Sequence, residues 1–309
     1  MEKLKKSIGK HCNLYFNEPI DKWDEAIPLG NGHSGCLLWG DGKTIRLSLD
    51  RGELWDKRGA PGISSEDFTY SKLIELVSNG DYKSIDKIFE DIYYNITPTK
   101  IPAGKILLNF NSASQKFTGT LDIQKAMAEV RLSFDGKRAD INTFVHATRH
   151  AGFIRIFSES IFPEIELTAP GFGVIDKGND KNSVPMGKNI SNGSLGQLLY
   201  PPVIWGKHEE MMWFVQKTAE ELEYGIILGQ RTIGTTMEIV YTVAANEEGD
   251  ADWLKHSMDL VKKALDDGYD FCLREHQKWW RNFWAKSAVC LPDKEFEKQW
   301  YLTNYLFGS

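Results

Sequence analysis

The stretch MAEVRLSFDGKRADINTF, residues 127–144, decides the fold of this chain. Apolar and polar residues alternate along it, which is typical of strands with one buried face. Asp135-Gly136 interrupts the alternation, and this dipeptide favours a tight hairpin turn because its residues tolerate positive φ. With residues 106–110 before the stretch and 150–157 after it, four closely spaced strands predict an antiparallel sheet.

The same pattern occurs nearer the start of the chain, where Gly40-Asp41-Gly42 separates two apolar runs within residues 36–49. This arrangement predicts another hairpin. Further strands are predicted at residues 213–216, 224–228 and 236–244. We therefore expect residues 1–246 to form a large, mainly β sandwich of two sheets.

Two segments within residues 1–246 depart from the strand pattern. Helical spacing predicts an insertion at about residues 65–95, with a helix over 65–79 and a second helix over 82–93. Ser65 or Glu66 could cap the first helix, and Asn79-Gly80 supplies its stop. Residues 171–198, which are rich in Gly, Asn, Lys and Ser, are interpreted as a long surface loop.

The character of the sequence changes again after residue 246. Residues 253–284 favour helix with an interruption at Gly268, and a third helix begins at Glu295 after the break at Leu291-Pro292-Asp293. We expect linker helices over 247–290 and the start of a truncated helical domain over 291–309. The third helix has a strongly aromatic face, and a helix with such a face needs a partner to cover it.

Composition excludes several classes of protein. The net charge is −6 and the 37 basic residues are scattered, so a nucleic-acid partner is not expected. No apolar run is long enough to span a membrane, and the first ten residues do not resemble a secretion signal. The four cysteines form no CxxC pair, which argues against a disulfide framework or a zinc site and favours buried free thiols. The ten tryptophans suit either sugar stacking or a core, and composition alone favours the core.

Three segments together resemble the N-terminal region of glycoside hydrolases of family 95, the α-L-fucosidases and their relatives, and more distantly that of family 65. The first segment is WDEAIPLGNG at 23–32 with Leu54-Trp55, and the second is GTLDIQKA at 119–126. The third is HQKWWRNFW at 276–284. Their order and spacing match that region across most of the chain.

The resemblance implies a β super-sandwich, then linker helices, then an (α/α)6 barrel that holds the catalytic residues of an inverting hydrolase. Inverting catalysis needs an acid and a base roughly 6.5–9.5 Å apart. By resemblance both lie beyond Ser309, so no catalytic residue, cofactor or metal ligand is predicted here. A glycan and the downstream barrel are the implied partners, and a periplasmic or secreted location is suggested by the resemblance alone.

The loop from Gly30 to Gly35 is the main candidate for substrate contact. It lacks the Lys-Ser/Thr pair of a phosphate-binding loop, so it is either a tight turn that needs glycine or a loop that lines the sugar pocket. In the second case Asn31 and His33 would bond sugar hydroxyls, and Trp55 would contribute an aromatic surface.

The carboxylates Asp50, Glu53 and Asp56 around Trp55 superficially suggest a hydrolytic pair. The preferred interpretation is structural, with Asp50 and Arg51 satisfying turn backbone and each other, because nothing indicates a protonated acid. His146 and His150 are interpreted as ordinary strand histidines. Trp279, Trp280 and Trp284 are predicted to lie at a domain interface, on a helix that seats the sandwich on the barrel.

Two functions follow as hypotheses. The chain is either the non-catalytic N-terminal part of an inverting α-L-fucosidase-like exo-glycosidase, inactive by itself, or a stand-alone carbohydrate-binding or scaffold protein derived from such an enzyme. The aromatic face of the third helix favours the first hypothesis.

Overall fold

A computed structural model describes residues 8–60, 62–172, 195–246 and 250–309. Within these ranges the chain forms sixteen strands, and all their pairings are antiparallel. The first eight are β1 Leu14–Phe16, β2 Ile27–Gly30, β3 Ser34–Gly40, β4 Thr44–Arg51, β5 Trp55–Asp56, β6 Thr99–Lys100, β7 Gly104–Asn109 and β8 Lys116–Asp122. The others are β9 Met127–Phe134, β10 Lys137–Val145, β11 Gly152–Phe157, β12 Glu164–Thr168, β13 Ile204–His208, β14 Met211–Lys217, β15 Glu223–Ile233 and β16 Thr236–Ala245.

Both hairpins expected from turn residues are confirmed. Lys137 of β10 pairs with Phe134 of β9 across Asp135-Gly136, and Gly136 has a φ of 69°. Gly40 of β3 pairs with Ile45 of β4. In that second turn the Asp41 carboxylate accepts hydrogen bonds from the backbone of Lys43 and Thr44. Local turn chemistry therefore sets the register of both sheets.

The strands form two large sheets that pack face to face, as expected for a sandwich. The nine-stranded sheet has the order β1-β8-β9-β10-β11-β16-β15-β14-β13, and the five-stranded sheet has the order β12-β7-β4-β3-β2. Strands β5 and β6 form a small separate pair. The core between the two sheets includes Leu38, Leu47, Leu108, Val130 and Ile226. The fold is thus mainly β, with large antiparallel sheets followed by helices.

Three helices follow the last strand: α3 Trp253–Asp267, α4 Tyr269–Trp284 and α5 Lys294–Gly308. Helix α3 covers the outer face of the nine-stranded sheet and creates a second core with Phe153, Ile227 and Val240. Strands β15 and β16 are consequently buried on both faces along most of their length. Gly229 allows the close approach, because a Cβ at this position would lie 2.8 Å from Cγ1 of Val261.

The insertion between β5 and β6 is helical, but its predicted details were partly wrong. Helix α1 is Tyr70–Asn79, and Thr69 caps it by accepting a hydrogen bond from the backbone of Lys72, in place of Ser65 or Glu66. Gly80 ends it with a φ of 66°, as predicted. The second helix is not continuous: α2 spans Tyr82–Ile85, and a π-turn and a 3-10 turn follow it. The hydrophobic spacing is correct there, but the backbone hydrogen bonding is not regular.

Other sequence predictions need correction or fall outside the description. Cys12, Cys36 and Cys272 are buried free thiols as expected, but Cys290 is exposed between α4 and α5. Five strands were not predicted: β1, β5, β6, β12 and β13. The first three have only two or three residues each, and β13 is largely exposed and lacks an apolar run. Most of the predicted loop at 171–198 lies outside the described residues, and residues 195–198 form a 3-10 turn. No helix in the described part of the chain is long and apolar enough to cross a membrane.

Candidate functional site

Asn31 lies in the turn between β2 and β3 and fixes its shape. Its side-chain oxygen accepts hydrogen bonds from the backbone N–H groups of His33 and Ser34, at 3.0 and 2.9 Å. Its side-chain nitrogen donates to the backbone carbonyls of His146 and Arg149, at 2.9 and 3.2 Å. One amide therefore joins a turn of the five-stranded sheet to the β10–β11 loop of the nine-stranded sheet. These bonds explain why the turn needs asparagine, and sugar contact by Asn31 stays a prediction.

His33 lies beside the same turn and is mostly buried. Its ring contacts that of His150, with centroids 3.8 Å apart and the ring planes tilted by 31°. Its Nδ1 lies 3.6 Å from a carboxylate oxygen of Glu53. The structure thus places His33 next to a charged cluster, and its predicted role in binding a sugar hydroxyl is untested.

Trp55 is close to His33 through Gly52. The backbone N–H of Gly52 donates to the carbonyl of His33, and the carbonyl of Gly52 accepts from the indole Nε1 of Trp55, both at 3.0 Å. The Trp55 side chain is still 45% exposed. A partly exposed aromatic ring whose polar edge is hydrogen-bonded suits stacking against a sugar. Two of the three predicted substrate-contact residues therefore meet at one glycine.

The charged residues around Trp55 form ion pairs that hold the turns in place. Lys100 donates to a carboxylate oxygen of Asp50 at 2.5 Å and to the carbonyl of Arg51 at 2.8 Å. Arg51, which is 5% exposed, pairs with Glu53 at 3.0 Å. As expected, Asp50 accepts from the turn backbone, at Arg51 N. The guanidinium of Arg51 bonds Glu53 and the backbone carbonyl of Val243. The mutual bond expected between Asp50 and Arg51 is present at the backbone N–H of Arg51.

Glu53 and Asp56 do not have the pKa pattern of a glycosidase pair. Burial raises the pKa of Glu53, but its hydrogen bonds and the charge of Arg51 outweigh burial and lower it. The pKa of Asp56 is also lowered: hydrogen bonds from Arg58 and Tyr200 outweigh burial. A general acid in an inverting hydrolase must stay protonated at working pH. Both groups are instead held as carboxylates.

Asp56, Arg58 and Tyr200 form a polar cluster that the sequence did not reveal, in which Asp56 and Tyr200 are buried and Arg58 is exposed. Arg58 makes a bidentate pair with Asp56, with its shortest contact at 2.7 Å, and the hydroxyl of Tyr200 donates to Asp56 at 2.6 Å. Arg58 also donates to the carbonyl of Leu198. Only the pairing of positions 56 and 58 is local in sequence, and no pattern identifies Tyr200 as their partner. The cluster anchors the segment before β13 beside the small β5–β6 sheet.

The three tryptophans of α4 differ in their surroundings. Trp280 is fully buried in the main core, 5.4 Å from the ring of Tyr305 and 5.8 Å from that of Trp284. Trp284 donates from its indole nitrogen to the carbonyl of Ile123 in the sandwich. Trp279 is partly buried and stacks on Phe283. As a group, these side chains of α4 therefore pack against the sandwich and against α5. Their contact with a further domain stays a prediction.

His276 seats α4 on the sandwich through backbone bonds. Its Nδ1 accepts from Ala147 N at 3.2 Å, and its Nε2 lies 2.9 and 3.1 Å from the carbonyls of Lys125 and Ala126. Since carbonyls only accept, Nε2 carries the proton and the ring is neutral. Burial and the nearby His146 lower the pKa of His276 to about 4.

Helix α5 ends beside the β2–β3 turn. The ring of Tyr305 is fully buried in the main core. A Cβ on Gly30 would lie 3.1 Å from the backbone of Ser309, so the helix end closely approaches the turn. Gly30, His33, Gly52 and Ser309 line one shallow open groove. The other side of α5 exposes three large apolar side chains, Phe296, Leu306 and Phe307.

Comparisons with known proteins relate this chain to the N-terminal domains of glycosyl hydrolases. Residues 14–186 match the model of the glycosyl hydrolase family 65 N-terminal domain, which is more than half of the chain. Alpha-L-fucosidase 2 of Arabidopsis thaliana is 27% identical over 140 residues, which are 41% of this chain and 16% of that protein. A putative kojibiose phosphorylase from the human microbiome shares the fold with a TM-score of 0.53 and 10% identity, over 90% of this chain and 36% of that one.

This chain therefore spans about a sixth of the fucosidase and about a third of the phosphorylase. The family model covers most of the sandwich, including the β2–β3 turn and the charged cluster. The chain belongs to the family of glycosyl hydrolase family 65 N-terminal domains.

Proposed function

We propose that this chain is the non-catalytic N-terminal region of an inverting, α-L-fucosidase-like exo-glycosidase. In this role it supports a helical catalytic domain and lines one side of the sugar pocket. The observation that carries the proposal is the position of α5, which is locked onto the sandwich by Tyr305 and ends beside the β2–β3 turn. Family membership and the fucosidase relative support the glycoside class.

The exposed apolar side of α5 is the observation that favours a helical catalytic domain as the partner in this proposal. Phe307 is 86% exposed and Phe296 is 69% exposed, on a helix whose opposite side is firmly held by the sandwich. Covering each such ring would contribute roughly 1.5–3 kcal/mol. A helical catalytic domain packed here would bury these rings and bring its own residues next to the groove at Gly30. In the same proposal residues 1–246 are the sandwich, 247–290 the linker and 291–309 the first part of the catalytic domain.

The pKa values of the acidic residues favour a structural role for this chain over a catalytic one. Among the described residues, every carboxyl whose pKa clearly departs from its ordinary value is lowered. Glycoside hydrolysis by inversion needs one carboxyl with a raised pKa. The proposal therefore assigns the acid and the base to the partner domain.

A second candidate is a stand-alone carbohydrate-binding or scaffold protein. Trp55 favours it, because its exposed ring lies beside the groove without help from another domain. Titration of the isolated chain with L-fucose and fucosylated oligosaccharides separates the two functions. No measurable affinity supports the first proposal, and saturable binding that Trp55→Ala removes supports the second. Trp205→Ala is the matched control, since Trp205 is 55% exposed on the edge strand β13.

The first proposal has its own direct test in the source gene and its product. Reading the gene through the codon for Ser309 should show an open frame that encodes a large helical domain. The longer product should hydrolyse an α-L-fucoside, and the chain ending at Ser309 should not. Trp55→Ala in the longer product should raise KM more than it lowers kcat. A stop codon directly after Ser309 would overturn this proposal.

A further inference from the structure

Three potential metal ligands from opposite ends of the chain meet beside α5. His11 and Cys12 lie in a 3-10 turn, Lys10–Cys12, and Glu297 lies in the first turn of α5. The Sγ of Cys12 lies 3.4 Å from Nε2 of His11, which lies 3.2 Å from Oε1 of Glu297. All three ligand atoms lie within 4.8 Å of one another. None of these residues belongs to the groove at Gly30.

The separations match those between ligands of a tetrahedral zinc ion. With a Zn–S bond of about 2.3 Å and Zn–N or Zn–O bonds of about 2.0–2.1 Å, neighbouring ligand atoms are about 3.3–3.6 Å apart. The distances from Nε2 of His11 to Sγ of Cys12 and to Oε1 of Glu297 lie within about 0.2 Å of that range. The third distance, from Sγ of Cys12 to Oε1 of Glu297, is at most 4.8 Å and would have to shorten by up to about 1.2–1.5 Å. Thiolate, imidazole and carboxylate together also favour zinc over magnesium or calcium.

The surroundings hold the donor atoms in position. The other carboxylate oxygen of Glu297 accepts from Leu291 N at 2.6 Å and from Lys294 Nζ at 2.9 Å, so Oε1 is the oxygen directed at His11. Bonds of this kind orient carboxylate ligands in metal sites. Cys12 is fully buried, whereas His11 is exposed and leaves one side open for entry and for a fourth ligand. The positive charge of Lys294 disfavours a bound cation nearby. The negative charge of the Cys12 thiolate compensates for this repulsion.

We propose that His11, Cys12 and Glu297 bind one zinc ion, with water as the fourth ligand. The metal would join the turn at residues 10–12 to the first turn of α5, and so attach the start of the described chain to the helix that ends at the groove. The alternative is a simple ion pair between His11 and Glu297 beside a buried thiol. The two alternatives differ in one respect that can be measured: only in a metal site is the sulfur of Cys12 bonded to a metal ion as a thiolate.

Cobalt(II) titration of the metal-free chain tests the proposal, because cobalt replaces zinc and reports thiolate ligation through a charge-transfer band in the near ultraviolet. We expect one equivalent of cobalt to bind and to produce that band. Added zinc should displace the cobalt and remove the band. Cys12→Ser should abolish the band and His11→Gln should weaken binding at least tenfold. Zinc should raise the melting temperature of the natural chain and leave that of Cys12→Ser unchanged.

Two matched controls exclude adventitious binding. Cys290→Ser removes the exposed thiol, and His256→Gln disrupts an exposed histidine–carboxylate pair of similar geometry, in which Nδ1 lies 3.1 Å from Asp250. Both variants should keep the site. A band that survives Cys12→Ser, a band lost in Cys290→Ser, or no bound metal in a chain that circular dichroism shows to be folded would each overturn the proposal.

Discussion

The hydroxyl of Tyr305 donates a 2.7 Å hydrogen bond to the backbone carbonyl of Pro28, which connects the last helix to the strand that precedes the candidate groove. Tyr305 is fully buried and its ring packs on Trp280. Burial raises the pKa of Tyr305 far above its usual range, so the phenol stays a donor at every pH in ordinary use. This neutral hydrogen bond and the aromatic contact help to fix the position of α5 relative to the groove.

Tyr305→Phe removes that bond and keeps the ring. The part-buried carbonyl of Pro28 loses its donor, so we expect the free energy of unfolding to fall by about 1–2 kcal/mol in urea titration. Tyr70→Phe is the control, since Tyr70 is 77% exposed and should change stability by less than about 0.5 kcal/mol. Equal effects of the two substitutions would contradict the role assigned to Tyr305.

Asn31→Asp tests the amide that joins the two sheets. The carboxylate keeps the two bonds it accepts but faces the carbonyls of His146 and Arg149 without a proton to donate. We expect a loss of about 2–3 kcal/mol in unfolding free energy. Asn111→Asp, at an exposed site, should have little effect. Similar stability of both variants would show that the β2–β3 turn does not need its amide.

Trp280→Ala should be the most disruptive single truncation in α4. It opens a large cavity between the sandwich and α5, and we expect a loss of about 3–5 kcal/mol with a clear drop in melting temperature. Trp205→Ala removes an exposed tryptophan of the same size and serves as the control. An unchanged melting temperature for Trp280→Ala would rule out α4 as the element that attaches the C-terminal helices to the sandwich.

His276 should make the chain less stable in acid. Its pKa is about 4 in the folded state and about 6.5 when unfolded, so the unfolded chain binds the proton first as pH falls. The free energy of unfolding should therefore decrease from pH 6.5 towards pH 4, by on the order of 3 kcal/mol for this residue. His276→Gln keeps an amide donor and acceptor without this titration, and urea titrations at several pH values should show a flatter profile. A profile as steep as that of the natural chain would contradict the assignment.

Much of the fold was predictable because it depends on short-range chemistry. Asp135-Gly136 and Gly40-Asp41-Gly42 specify their turns within a few residues, and the strands around them follow from alternation. The weakly patterned edge strand β13 was missed, since edge strands are held by pairing more than by burial. The cap of α1 was misplaced because Ser65, Glu66 and Thr69 all lie near its start, and only the backbone path selects among them.

The candidate site was less predictable because its contacts join distant parts of the chain. Gly52 brings His33 and Trp55 together, and no sequence pattern identifies a glycine as a shared hydrogen-bond partner. Tyr200 reaches Asp56 across 144 positions. The cluster of His11, Cys12 and Glu297 is hidden for the same reason, since spacing rules for metal sites assume ligands that are near in sequence.

The bonds of Asn31 have a consequence for how this domain can evolve. All of its partners belong to the main chain, so they are the same whatever side chains surround it. A lineage can therefore exchange the residue at position 33, and with it the chemistry of the groove, while inheriting an unchanged turn. Selection for folding and selection for what the groove contacts then act on different positions. Among descendants of one ancestor we expect an invariant asparagine beside a freely diversifying neighbour.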